Sequence, residues 1–154
     1  MHFKIPNTVF YPKPKVESCL IGLHFAPLPT LRARLAGVDP RDLRLVVTKC
    51  FQQRRKCVRN SLKKLLMSEL GGDKERVREM LESEPLPLPD AVARLREEGD
   101  EVAREQELPG GWAGMRPEEL TPGQFVELTR LCLGERAGEG RYEGKVWRKV
   151  KHGS

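Results

Sequence analysis

Cys50-Phe51-Gln52-Gln53-Arg54-Arg55-Lys56-Cys57-Val58-Arg59-Asn60-Ser61-Leu62-Lys63-Lys64-Leu65-Leu66 carries six basic residues and no acid. Its apolar positions Phe51, Val58, Leu62, Leu65 and Leu66 fall roughly at helical spacing, so one side can pack while the other stays cationic. Arg54, Arg55 and Lys56 are consecutive, and consecutive residues on a helix point in different directions. A turn or helix junction at that point would let the three converge on a phosphate backbone. Taken alone, such a run reads most simply as a solvated helix face. The charge distribution along the chain argues for more.

The 154 residues carry a net charge of +6, unevenly placed. Residues 1–66 hold 14 Lys/Arg against 3 Asp/Glu, residues 67–135 hold 8 against 17, and residues 136–154 hold 6 against 2. A front half at +11 and a tail at +4 therefore flank a middle at −9. That pattern suits a surface laid on a polyanion. It suits a membrane surface less well, and no run of about 18 apolar residues exists to span a bilayer. The N-terminus shows no signal-peptide pattern. Cys19, Cys50, Cys57 and Cys132 contain no Cys-x-x-Cys pair, and His2, His24 and His152 lie at no metal-ligand spacing from them, so a zinc site is not expected. The four thiols read as reduced cysteines of an intracellular protein.

Taken in order, Met1 to Pro14 is read as extended and turn-rich, because Pro6, Pro12 and Pro14 bias their neighbours out of helix. Val16 to Phe25 reads as one mostly apolar strand, as in a sheet covered on both faces. No second good strand follows, so its backbone needs partners that this chain does not supply. Ala26 to Val38, with Pro27, Pro29 and Gly37, is read as linker. Asp39 then caps a helix with Pro40 in its first turn and Asp42 complementing the dipole; Leu43, Val46, Val47, Cys50 and Phe51 form its apolar stripe. A second helix is expected over about Cys57 to Leu70, stopped by Gly71-Gly72, and a third over Asp73 to Ser83 with Val77, Met80 and Leu81 inward. Pro85 to Pro89 ends that helix. Asp90 to Arg104 is read as a further helix, Leu108 to Gly114 as loop. Thr121, Pro122 and Gln124 form a capping box for a final helix, Pro122 to Leu133, burying Phe125, Leu128, Leu131 and Cys132. Gly134 to Gly144 follows a helix, not a strand, and reads as flexible linker rather than nucleotide loop. Asn60 and Ser61 sit mid-helix against propensity, and Asn60 is expected to hydrogen-bond locally and hold the junction after Lys56.

Three segments carry a family resemblance. Val9-Phe10-Tyr11-Pro12-Lys13-Pro14-Lys15-Val16-Glu17-Ser18 resembles the F-x-P-x-P-K-V-D-S segment of the rRNA adenine N6-dimethyltransferases of the KsgA type. Phe51 to Lys63 resembles their F-x-Q-R-R-K-T-L-R-N-S-L-K. Arg116-Pro117-Glu118-Glu119-Leu120-Thr121, with Phe125, is similar to the R-x-E-x-L-S/T that opens their last helix. The three stand in family order across residues 1 to about 133, and they match only the back third to half of such an enzyme. The Phe25-Ala26-Pro27-Leu28 ending looks more like the organellar members, which implies a mitochondrial or other organellar compartment.

The resemblance implies a Rossmann-like domain binding S-adenosylmethionine, a small helical domain after it, and dimethylation of two adjacent adenines near the 3′ end of small-subunit rRNA. The expected fold is mainly α. Residues 1–26 would be a methyltransferase remnant holding the last strand of an incomplete Rossmann-like sheet, 27–135 a helical rRNA-facing domain and 136–154 a basic flexible tail. The family's glycine-rich cofactor loop, acidic ribose ligand and N-L-P-Y motif have no match here, and methyl transfer needs a positioned cofactor and a pocket for the adenine. No catalytic, cofactor or metal residue is therefore assigned. The candidate RNA-binding residues are Lys13, Lys15, Arg54, Arg55, Lys56, Arg59, Lys63 and Lys64, and the expected partner is small-subunit rRNA or a pre-ribosomal small subunit, met by a monomer. The other reading is a non-catalytic RNA-binding or ribosome-assembly module.

Overall fold

The computed structural model describes residues 3–134; the basic tail and most of the glycine-rich stretch before it lie outside them. In chain order the elements are strand β1 (Phe3–Ile5), strand β2 (Ser18–Leu20), and helices α1 (Leu28–Leu35), α2 (Pro40–Gln52), α3 (Val58–Glu69), α4 (Lys74–Glu82), α5 (Asp90–Glu97), α6 (Glu101–Arg104) and α7 (Pro122–Leu133). Short 3-10 turns occur at Asn7–Val9, Trp112–Gly114 and Pro117–Glu119. The fold is mainly α with one small antiparallel sheet, β1 against β2, in the register Phe3 opposite Leu20 and Ile5 opposite Ser18.

That sheet corrects the expectation for the front segment. The strand read over Val16 to Phe25 shortens to Ser18–Leu20, and its partner comes from the proline-rich start of this chain. Phe3-Lys4-Ile5 precedes Pro6, so no proline interrupts its ladder. Only three residues pair on each strand, and Ile21, Leu23 and Phe25 continue beyond the pairing as exposed apolar side chains.

The supposed linker at Ala26 to Val38 is also a helix. Pro29 occupies the second position of α1, where an amide hydrogen has no intrahelical partner to lose. The proline therefore marks a helix start rather than its absence. Ala36 (φ 50°) and Gly37 (φ 78°) turn the chain out of α1 in left-handed conformation. The expected helix over Asp90 to Arg104 is broken in two at Gly99 (φ 90°), after which the Asp100 carboxylate accepts from the Ala103 amide and caps α6.

The other caps follow the residue chemistry. Asp39 accepts from the Arg41 amide at 2.7 Å, and Asp73 from the amides of Glu75 and Arg76 at 3.1 Å. Thr121 and Gln124 form a reciprocal box, Gln124 N–H to Thr121 Oγ1 at 3.3 Å and Thr121 N–H to Gln124 Oε1 at 2.9 Å.

The main core joins α2, α3, α4 and α7 through Val46, Cys50, Leu62, Leu66, Leu81 and Leu128, and it includes Trp112, from the stretch expected to be plain loop. A smaller cluster, Ala36, Val92 and Ala103, joins α1 to α5 and α6. Helix α7 is buried nearly all round rather than along one stripe. Val126, Glu127, Thr129, Arg130 and Leu133 are covered along with Phe125, Leu128 and Cys132, whereas Leu131 is only half-buried. Glu127 and Arg130 survive there as a pair, with Arg130 Nε and Nη2 donating to Glu127 Oε2 at 2.9 and 2.6 Å. Phe51, expected within the α2 stripe, is nearly half exposed and rests against Phe125 with ring centroids 5.8 Å apart.

Gly123 is where α7 meets α6 most closely. A Cβ there would lie 2.8 Å from the Val102 carbonyl oxygen and 2.9 Å from Gln106 Cα, both backbone atoms. Gly123→Ala should therefore lower the free energy of unfolding in urea by roughly 1–3 kcal/mol, the usual range for overpacking. A second test concerns acid. Arg34 Nε and Nη2 donate to the Asp100 carboxylate, the shortest contact at 2.7 Å, and this pairing, helped by the Ala103 amide, holds the Asp100 carboxyl below its ordinary value against the opposing effect of burial. A depressed native pKa gives stability that is present above the unfolded value of about 4 and is lost as pH falls through the lower native value. Urea midpoints measured down that range should fall more steeply for the parent chain than for Asp100→Asn, which keeps a capping side chain but does not titrate.

Candidate nucleic-acid interface

Helix α2 ends at Gln52 and α3 begins at Val58, so the three consecutive cations fall in the turn between them. The turn is held by its backbone: the Gln53 amide donates to the Cys50 carbonyl at 3.2 Å and the Lys56 amide to the Gln53 carbonyl at 2.7 Å. Its far side is pinned across the fold, where the Val58 amide, one of the donors that a helix start leaves unpaired, donates to the Met115 carbonyl at 2.8 Å. Cys50 and Val58, flanking the turn, are both fully buried. The junction expected from three adjacent charges is thus present, and Arg54, Arg55 and Lys56 project from it into solvent.

Arg59, Lys63 and Lys64 continue the patch along α3. Val58, Ser61, Leu62, Leu65 and Leu66 turn inward, leaving these cations exposed on the opposite side. Arg59 and Lys63 are four residues apart on one face, a like-charge spacing that costs a few tenths of a kcal/mol in a helix. Among the described residues none of the six cations between Arg54 and Lys64 forms an ion pair, whereas Lys4, Arg34, Arg78, Arg96 and Arg130 do. Lys13 and Lys15 are exposed on the segment that leads from the Asn7–Val9 turn to β2. No hydrogen bond or ion pair among the described residues links them to the turn.

The expectation for Asn60 is overturned. Its side chain is exposed and makes no hydrogen bond among the described residues. The local bond belongs to its neighbour: Ser61 Oγ donates to the Cys57 carbonyl at 3.3 Å. Asn60 instead opens onto a groove between α3 and α4, together with Lys63 and, from α4, Lys74. No local signal marks Lys74, which sits in the acidic middle of the sequence; only the packing of α4 on α3 brings it to the basic patch.

Two of the four cysteines are held in an unreactive form. Burial raises the thiol of Cys50 to about 12; that of Cys132 is also raised to about 12, by burial and secondarily by the neighbouring Cys50. Both are neutral near pH 7 and poor nucleophiles. The described residues contain no helix long and apolar enough to cross a membrane.

Residues 2–79 match the family model described as ribosomal RNA adenine dimethylase, which is half of the chain. The chain belongs to that family. It is 35% identical over 127 residues to the ribosomal RNA small subunit methyltransferase A of Oleidesulfovibrio alaskensis, a match spanning 82% of this chain and 32% of that protein. Proteins of the same description from Yersinia pestis and Yersinia pseudotuberculosis are 41% identical over 66 residues, 43% of this chain and 23% of theirs. The chain thus spans no more than a third of the length of these relatives. No solved structure matches it. The family match ends within α4 and includes the whole cationic turn and the exposed face of α3.

With no internal partner, the Asn60 amide contributes nothing to the helix that alanine would not improve. Asn60→Ala should leave the urea midpoint unchanged or raise it, by up to about 0.7 kcal/mol from helix propensity; a loss of 1 kcal/mol or more would restore a structural role.

Proposed function

We propose that this chain is the RNA-facing part of an S-adenosylmethionine-dependent rRNA adenine dimethyltransferase acting on the small ribosomal subunit. The observation that carries this reading is the clamped turn of Arg54, Arg55 and Lys56, continued by Arg59, Lys63 and Lys64, all exposed and without acidic partners among the described residues. Cations held this way neutralise phosphates and release counterions, which gives affinity without reading sequence. The relatives' description supplies the substrate class. S-adenosylmethionine binding is assigned to no residue of this chain, because the motifs that would carry it have no match in the sequence. The chain would act as a monomer, and the Phe25-Ala26-Pro27-Leu28 ending favours an organellar small subunit.

The front segment supports the enzyme reading from another side. Phe3, Val9, Phe10, Tyr11, Val16 and Phe25 are all exposed. Large apolar side chains gathered in one short segment mark a surface meant to be covered, and a methyltransferase domain is the cover that the family implies.

Fluorescence anisotropy with a labelled fragment from the 3′ end of small-subunit rRNA tests the RNA contact. The parent chain should bind with an affinity that falls steeply with salt. Changing Arg54, Arg55 and Lys56 together to Glu should weaken binding by at least about tenfold, and each lost phosphate contact should lower the slope of log affinity against log salt by roughly 0.7–0.9. Equal affinity of the two proteins would overturn the proposal.

A further inference from the structure

The groove between α3 and α4 has a volume of about 510 Å³ and combines two kinds of surface. Its floor is apolar, lined by the buried Val77 and Leu81 of α4 and the half-buried Met67 of α3. Its rim is cationic: Arg59 and Lys63 stand on the α3 side and Lys74 on the α4 side, all exposed. Arg78 is already engaged, Nε donating to Glu82 Oε1 at 3.3 Å, so the remaining balance at the rim is three cations against Glu75. Asn60 adds an amide with no partner among the described residues. The volume lies within the roughly 300–1,000 Å³ typical of sites for small ligands.

An apolar floor under a cationic rim with one free amide has a specific chemical complement. A duplex offers phosphates but keeps the faces of its bases stacked and out of reach, so it would leave the floor uncovered. An acidic peptide would pair with the rim, but it ties a flat face to an anion only where an aromatic residue stands beside an acid, whereas every nucleotide does so. An unpaired nucleotide offers both, and single-stranded RNA is read in this way, by seating an unstacked base and hydrogen-bonding its edge. Asparagine is one of the side chains that can pair bidentate with a base edge, since its carboxamide has a carbonyl oxygen to accept and an NH2 group to donate.

We propose that the α3–α4 groove is a binding site for one unpaired nucleotide of the RNA, its base on Met67, Val77 and Leu81, its phosphates on Arg59, Lys63 and Lys74, and its base edge read by Asn60. This rests on the RNA reading above and adds to it a contact that depends on single-strandedness. The cationic turn serves any phosphate backbone, and the groove serves an exposed base.

The test compares a short labelled single-stranded RNA with a blunt RNA duplex of the same sequence, by anisotropy, on four proteins: the parent chain, Asn60→Ala, Met67→Gln, and the triple Glu variant of the turn. Circular dichroism checks that each is folded. The parent should prefer the single strand. Asn60→Ala and Met67→Gln should each weaken single-strand binding by at least about fivefold, the lower end of the scale of one base contact, and leave duplex binding within error. The turn variant should weaken both RNAs. If the parent shows no preference for the single strand, or if the two groove variants lower both RNAs equally or neither, the groove assignment is wrong and the RNA role of the turn stands. If the parent binds neither RNA, both readings fall.

Discussion

Burying Glu127 and Arg130 inside the molecule is the constraint around which the other elements are arranged. Helix α7 is covered on nearly every side, so two charged side chains near its middle have no route to water. They pair with each other at 2.6 Å, and Arg130 Nη2 also donates to the Pro87 carbonyl at 2.7 Å. On the other side of the carboxylate, Gln106 Nε2 donates to Glu127 Oε1 at 3.1 Å and to the Arg34 carbonyl at 2.8 Å. One ion pair thus ties the central helix to the end of α1, to the proline segment before α5 and to the loop after α6. Removing one partner of such a pair typically costs about 3–5 kcal/mol, because the other charge stays buried. The irregular backbone between α4 and α7 is held by these polar contacts as much as by its thin apolar cluster.

The basic patch depends on the same organisation at one remove. Cys50, at the last buried position of α2, and Val58, at the first of α3, sit in the core that α7 completes, and the residues between them are too few to move independently of it. The Met115 carbonyl that receives the Val58 amide lies in the segment packed under α3 by Trp112. The cations are therefore presented by a turn whose ends are fixed in packed structure, and ordering them for a ligand costs only side-chain freedom.

Much of this was legible in the sequence because the signals were local. Asp39, Asp73 and Thr121 are capping residues whose partners lie two or three positions away, and Gly71-Gly72 stops a helix by its own conformation, at φ 64° and 87°. Three adjacent cations could not share a helix face, and a junction was the consequence. What escaped depends on partners distant in sequence or on ambiguous residues. Pro29 serves equally as a helix breaker or a first-turn residue, and only the helix that follows decides. The strand Phe3–Ile5 is three residues long and takes its meaning from Ser18–Leu20. Trp112 is core because α3 lies over it. Asn60 faces a groove made by a helix that begins fourteen residues later, so no local rule could separate a cap-like role from an open one.

The six charges of the α2–α3 region, without acidic partners among the described residues, also shape how the protein responds to its medium. They repel one another in the native state, where the turn holds them close, more than in the unfolded chain, where they spread apart. Dissolved salt screens that repulsion within a Debye length of about 8–10 Å near physiological strength. On the proposed reading the same ions would compete with RNA for those cations. On the proposed RNA reading, ionic strength would act on this molecule with opposite signs: it eases the repulsion within the folded chain while weakening the bond to RNA, and an RNA strand laid across the turn would take over the screening that free ions provide.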